Sequence, residues 1–154
     1  MSQILIPLSV WLHVLATVIF IGFYLLLALI YLPILSKNEN GPILSEISKR
    51  SQPWLYAALL VFILTGMILM FADPNYLGFG DFGNFWGIVI VVKHTLILVM
   101  VAAGFWYNAR LRVGPRMGSG QGTAQAIALF RQYVYVMAVS GVLVLLLTAF
   151  AQAV

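Results

Sequence analysis

Two histidines and one lysine are the residues of this sequence most able to do chemistry, because all three lie inside long apolar stretches. His13 stands in the first stretch, and Lys93 and His94 are adjacent in the third. An ionisable side chain at membrane depth costs free energy, at least about 2.5–3.5 kcal/mol for lysine on insertion scales. Such a residue predicts a functional site when a partner for it can be named.

Two histidines on facing helices can hold haem in a membrane bundle, because imidazole ligates iron and the axial ligands set its potential. His13 and His94 are therefore predicted to ligate the iron of haem b. The second nitrogen of each ring needs a partner, and we expect Ser9, Thr17 or Thr148 to supply it. Two other interpretations stay open, hydrogen bonding between helices and proton transfer without a cofactor.

The faces of the two helices indicate which residues would surround the cofactor. Steps of three and four from His13 follow a stripe of small, polar and aromatic residues, which is typical of helix–helix contacts in lipid. The stripe includes Thr17, Phe20 and Tyr24. On the third span the stripe through His94 is apolar and includes Ile97, Leu98 and Phe105. Gly87, on the same stripe, leaves room for a bulky, flat macrocycle between the two helices.

Lys93 admits two interpretations. It lies about 100° around the helix from His94, so its side chain could reach outward. There it could bind a haem propionate, or it could extend to the lipid headgroups.

Copper is the alternative cofactor. Met67 and Met70 share one face of the second span, and thioether and imidazole ligands together suit Cu(I). The alternative ligand set is thus His13, His94, Met67 and Met70. Methionine is also an ordinary gap-filler in apolar helices. The chain contains no cysteine, which excludes thiolate metal sites and disulfides.

The composition indicates an integral membrane protein. Of 154 residues, 63% are hydrophobic and 8% charged, whereas soluble domains are about 45–50% apolar and about 25% charged. We predict an all-α, single-domain transmembrane four-helix bundle over residues 1–154. Its spans are expected at about 4–35, 53–72, 85–109 and 124–151, and Pro7 and Pro33 are expected to mark the ends of the first.

The distribution of charge predicts the topology. Seven of the eight Lys and Arg residues flank the first and third loops, and the middle loop carries Asp73 and Asp81. The positive-inside rule then predicts an up-down-up-down bundle with both termini outside, in a bacterial inner membrane. Both histidines would lie in the outer half. Expected partners are the lipid bilayer, an electron donor or acceptor such as a quinone or a periplasmic carrier, and a second copy in a homodimer, but no nucleic acid.

Three stretches together resemble the four-helix unit shared by copper-resistance protein D (CopD-like) and HemJ-type protoporphyrinogen oxidase proteins. Residues 11–33, WLHVLATVIFIGFYLLLALIYLP, resemble its first helix. Residues 91–115, VVKHTLILVMVAAGFWYNARLRVGP, resemble its lysine-containing helix. Residues 141–153, GVLVLLLTAFAQA, resemble its closing helix.

The resemblance implies family-like roles for His13 and Lys93. HemJ-type proteins are haem-associated, and CopD-like proteins are linked to copper uptake or resistance. The expected function is therefore electron transfer or redox chemistry by a bis-histidine haem b protein at the outer side of the membrane. A copper-handling protein and a porphyrinogen oxidase, in which Lys93 binds an anionic substrate group, are the alternatives.

Overall fold

The computed structural model describes residues 4–35, 41–76, 78, 83–113 and 121–153. Over these residues the chain is helical and forms no strand, so the predicted all-α class is confirmed. The helices are α1 (Leu5–Leu26), a π-helical segment (Leu27–Tyr31), α2 (Leu32–Leu35), α3 (Gly41–Ala72), α4 (Phe85–Val113) and α5 (Gln121–Gln152).

Four stretches of the described chain are long and apolar enough to cross a membrane. They are Leu5–Ile34, Glu46–Ala72, Phe85–Tyr107 and Ile127–Gln152. Many of their large apolar side chains are exposed on the outside of the protein. Extended exposed apolar surface of this kind marks contact with membrane, so the chain has the features of an integral membrane protein.

The first span is not one uniform helix. The N–H of Leu32 donates to the carbonyl of Leu27, five residues back, which widens the turn. Pro33 explains the wider turn, because proline has no N–H to give and its ring would clash with the carbonyl of Leu29. The membrane-spanning stretch runs from Leu5 to Ile34, so Pro7 lies two residues after its start and Pro33 one residue before its end, as predicted.

The second span also differs from the prediction. The structure begins α3 at Gly41, whereas the sequence predicted a span that begins at about residue 53. Pro53 leaves only the carbonyl of Lys49 without its helical partner, and that carbonyl lies at the polar end of the helix. Arg50 pairs with Glu46 one turn away at 2.6 Å, a spacing that stabilises helices.

The packing of the bundle is uneven. α1 packs mainly against α3 and also against α5, while α4 packs mainly against α5. The core lies where the C-terminal half of α1 and the π-helical segment meet α4 and α5, and its most deeply buried side chains are Leu27, Val134 and Met137. Among the described residues α3 and α4 contact each other little, so their seam is the loosest side of the bundle.

Candidate functional site

α3 fixes the imidazole of His13 from three directions. Its Nδ1 lies 2.9 Å from Oγ1 of Thr65, and its ring stacks on Phe62 with centroids 4.4 Å apart and planes 21° apart. A Cβ added at Gly66 would lie 3.1 Å from the Cε1 of His13. The prediction that His13 faces the bundle is therefore confirmed.

The hydrogen bonds of Thr65 favour one tautomer of His13. The Thr65 hydroxyl has one hydrogen, which it donates to the carbonyl of Val61 at 2.6 Å. Toward His13 it can only accept, so Nδ1 carries the ring hydrogen. The Nε2 of His13 is thus left with a lone pair, the form of imidazole that binds metals.

His94 adopts the same tautomer by a different contact. Its Nδ1 lies 2.7 Å from the carbonyl oxygen of Ile90, one turn back on α4. A carbonyl can only accept, so Nδ1 donates and Nε2 keeps its lone pair. Histidines that ligate metals usually donate their second ring N–H to a carbonyl, a carboxylate or a water in this way.

The predicted partners of the histidine rings were wrong. Thr17 donates its hydroxyl hydrogen to the backbone carbonyl of His13 at 2.7 Å, away from the ring. Thr148 donates to the carbonyl of Val144 on its own helix. Thr65 takes the role instead, and its sequence signal was a hydroxyl next to a glycine in the middle of an apolar span, a pattern favoured at helix contacts in lipid.

Lys93, rather than His94, lies on the stripe of α4 that faces the bundle. Trp86, Met100 and Tyr107 are buried, and they stand seven residues before, seven after and fourteen after Lys93. A seven-residue spacing returns to nearly the same face of a helix. Lys93 is accordingly half-buried, and whether its ammonium binds a propionate or extends to the headgroups stays a prediction.

The prediction that the stripe through His94 faces the bundle holds for some of its residues and is wrong for others. Gly87 is buried and Ile97 half-buried, as expected. Leu98 and Phe105, predicted on the same bundle-facing stripe, are 69% and 62% exposed. His94 therefore lies at the edge of the buried face of α4.

The structure brings the three ionisable residues together. Lys93 and His94 both lie within electrostatic range of His13. Among the described residues the only ion pair joins Arg50 and Glu46, so no described carboxylate neutralises Lys93. A half-buried cation without a counter-ion favours binding of an anionic group, because an uncompensated charge in an apolar interior is costly.

Phe20 and Tyr24 lie one helical turn apart, further along α1. Phe20 is half-buried and meets the ring of Tyr24 edge-on, with centroids 5.4 Å apart. Tyr24 is buried, and its hydroxyl lies 2.8 Å from that of Tyr133 on α5. Both residues therefore face the interior as predicted, in an aromatic cluster toward the end of α1.

Gly87 has a structural role at the start of α4. Its backbone N–H donates to Oδ1 of Asn84 at 2.7 Å, and this contact caps the helix. The side-chain amide of Asn84 also donates to the carbonyl of Asn75 at 3.0 Å. These contacts fix the beginning of α4, and the expected slot for a macrocycle at Gly87 stays a prediction.

Met67 and Met70 differ in how far they are exposed on α3. The side chain of Met67 is 44% exposed on the outside of α3, and Met70 is half-buried. Among the described residues, no three His, Cys, Asp or Glu side chains lie close enough together to hold a metal ion. Binding of copper through the methionines stays a prediction.

The donor set fits haem better than a bare ion. A bare ion needs about four protein ligands, whereas haem iron needs only two axial ones, and His13 and His94 each have an unprotonated Nε2. A narrow cavity begins one turn from both, with Thr17, Phe62 and Ile97 in its wall, and its volume of about 20 Å³ has room for little more than one water molecule. Its walls are almost entirely apolar, and the described residues form no open slot of the size of a porphyrin.

Comparison with protein-family models, with curated proteins and with solved structures finds no match for this chain. The functional argument therefore rests on the residues and their geometry.

Proposed function

We propose that this chain is a membrane-embedded b-type haem protein that performs electron transfer or redox chemistry, with His13 and His94 as the iron ligands. The observation that carries the proposal is the position of Nδ1 in each ring, within hydrogen-bond distance of a fixed oxygen. Each imidazole donates through Nδ1 to a fixed oxygen, which leaves each Nε2 free to bind iron. When bound, haem would supply a one-electron redox centre in an apolar setting.

Lys93 has a second role in this proposal. Its half-buried ammonium lies near His13 without a described carboxylate partner, and a haem propionate would neutralise it. The same position would hold a carboxylate of a porphyrin substrate. That makes porphyrinogen oxidation, which the family resemblance implies, the second candidate function.

The visible spectrum of the purified protein tests the proposal. After expression with sufficient haem, the wild type is expected to show a Soret band with the sharp reduced bands of bis-imidazole haem. His13→Ala and His94→Ala should each abolish or shift these bands. Met67→Leu/Met70→Leu serves as the matched control and should leave them unchanged. Absence of a Soret band, or a band that neither histidine variant alters, would sink the proposal.

Lys93→Met tests the anionic partner separately. Removal of one member of a desolvated charge pair typically costs about 2–5 kcal/mol, so haem should bind at least roughly tenfold more weakly. Lys93→Arg retains the charge and should retain most of the affinity. Equal haem affinity of the wild type and Lys93→Met would show that Lys93 does not pair with a propionate. Stoichiometric copper in a protein without a Soret band, lost in Met67→Leu/Met70→Leu, would favour copper instead.

A further inference from the structure

A second and larger cavity lies between the four long helices, at the other end of α1 from His13. Its accessible room is about 60 Å³, and it continues into space that is open to the surroundings. Its wall comprises the C-terminal half of α1, the early part of α3, the late part of α4 and the early part of α5. We call it the tyrosine cavity, because Tyr24, Tyr56, Tyr107 and Tyr133 stand in its wall.

The wall of the tyrosine cavity is built from flat rings. Tyr107 and Tyr133 stack with centroids 4.4 Å apart and planes 1° apart. Tyr24 meets Tyr133 edge-on at 5.8 Å, and Phe20 is next to Tyr24. Aromatic walls in offset and edge-on arrangements bind a planar conjugated ring well, because such a ring adds to the same stack.

The tyrosine hydroxyl groups of the cavity indicate which hydrogen-bonding groups a bound ring must carry. The hydroxyl of Tyr107 is buried and has no hydrogen-bond partner among the described residues. Tyr24 and Tyr133 share one hydrogen bond, so the hydroxyl that accepts it still has its own hydrogen to donate. The Tyr107 hydroxyl and one hydroxyl of the Tyr24–Tyr133 pair therefore each need a hydrogen-bond acceptor. A ligand with two acceptor oxygens would satisfy both.

The opening of the cavity faces the lipid-exposed side of the bundle. Phe105 and Tyr56 stand in the wall, yet they are 62% and 46% exposed on the outside of the protein. They belong to α4 and α3, whose seam is the loosest in the bundle. A ligand can therefore enter sideways from the hydrocarbon region, with an apolar tail left between the two helices.

We propose that the tyrosine cavity binds a quinone-class ligand, a planar conjugated ring with carbonyl oxygens and an apolar tail. The aromatic wall contacts the ring, Tyr107 and the Tyr24–Tyr133 pair donate hydrogen bonds to the carbonyl oxygens, and the tail leaves through the α3–α4 seam. The cavity shares Phe20 and Met100 with the smaller cavity that begins beside the histidines. The binding itself does not depend on haem.

Tyr107→Phe tests the proposal with the removal of one atom. A benzoquinone with a decyl tail is titrated into the full chain in detergent, and quenching of intrinsic fluorescence gives its Kd. Tyr107→Phe should weaken binding roughly three- to tenfold, the loss expected for one neutral hydrogen bond. Tyr135→Phe is the matched control, because Tyr135 lies outside the cavity wall and is largely exposed; its Kd should equal that of the wild type.

Two further variants complete the test. Gly104 stands in the cavity wall, and a Cβ there would already lie 3.3 Å from the Tyr133 hydroxyl. Gly104→Leu should therefore fill the cavity and abolish binding. The double variant His13→Ala/His94→Ala should still bind the probe, which separates this result from the fate of haem.

Stability of the ligand-free protein checks the premise. If the Tyr107 hydroxyl has no protein partner, Tyr107→Phe should unfold at the same temperature as the wild type or a higher one. A clearly lower Tm would mean that the hydroxyl is already paired, and it would overturn the proposal. Equal Kd values for Tyr107→Phe and Tyr135→Phe, unchanged binding in a folded Gly104→Leu, or loss of binding in the double histidine variant would also overturn it.

Discussion

Lys93 and His94 differ by a single helical step, and that step decides which of them faces the interior. Adjacent residues on a helix point about 100° apart. The third span is apolar on every face, so its pattern does not indicate which residue of the pair points inward. The buried residues Trp86, Met100 and Tyr107 supply that information. Lys93 then lies half-buried within electrostatic range of His13, where a cation favours an anionic partner.

Thr65 is the residue whose role can be tested most directly. Thr65→Val keeps the shape of the side chain but removes the acceptor for the Nδ1–H of His13. Loss of such an outer partner typically weakens metal binding 10–100-fold, and we expect haem affinity to fall by about that factor. Titration of haem into the haem-free protein, followed at the Soret band, measures it.

Thr148→Val is the matched control for this experiment. The Thr148 hydroxyl bonds to the carbonyl of Val144 on its own helix, so its removal should leave haem affinity unchanged. In the haem-free protein, ¹⁵N NMR of the imidazoles should show the Nδ1–H tautomer at His13 in the wild type and a mixture in Thr65→Val. Identical tautomers and affinities in both variants would contradict the assigned role of Thr65.

At the scale of helices, α1 is held close to α5 by a glycine. A Cβ added at Gly141 would lie 2.8 Å from Cγ2 of Ile21, and Ile21 is buried, with a β-branched side chain that has little freedom to move away. Close approach of backbones at small residues is the usual means of packing helices in lipid. The same crossing supports the α1 segment that bears Phe20 and Tyr24.

Gly141→Ala should therefore destabilise the bundle. Overpacking a tight contact typically costs about 1–3 kcal/mol, and thermal unfolding in detergent should show a lower midpoint. Gly22→Ala is the control on the same pair of helices, because no atom lies within 4 Å of the added Cβ. It should leave stability unchanged or raise it by up to about 1 kcal/mol through helix propensity. Equal shifts in both variants would argue against a close α1–α5 crossing.

At the scale of the whole molecule, the arrangement of the bundle in the membrane remains our proposal. Alternating spans with both termini outside would bring the histidines toward the outer side and the tyrosine cavity toward the basic, inner side. Lys49 and Arg50, at the start of the second span, lie next in sequence to residues of that cavity. The exposed outer face of α4 leaves room for the predicted homodimer.

Cysteine labelling in intact cells tests the orientation. The chain contains no cysteine, so each single variant carries one reactive thiol. By the positive-inside rule, Asn75→Cys should react with a membrane-impermeant maleimide, and Ser119→Cys, in a loop outside the described residues, should react only after permeabilisation. The reverse pattern would place the histidines on the inner side, and the periplasmic carrier would then no longer be a candidate partner.

The sequence by itself determined the class of protein and identified most of the candidate site residues. A composition this apolar can fold stably only where lipid covers its exposed surface, and helices are the structure that satisfies the backbone there. The apolar surroundings also singled out His13, Lys93 and His94, because ionisable side chains are costly at membrane depth and therefore rare there. The small and aromatic stripe of α1 placed His13, Phe20 and Tyr24 on the interior face for the same reason.

Only the tertiary structure decided which side chains meet. Thr65 became the partner of His13, and Tyr133 that of Tyr24, because separate helices bring them together; no sequence spacing encodes such contacts. The inward direction of Lys93 likewise depended on which face of α4 the other helices cover. In lipid a helix can be apolar on all sides, so its rotation is determined by packing with its neighbours rather than by its own pattern.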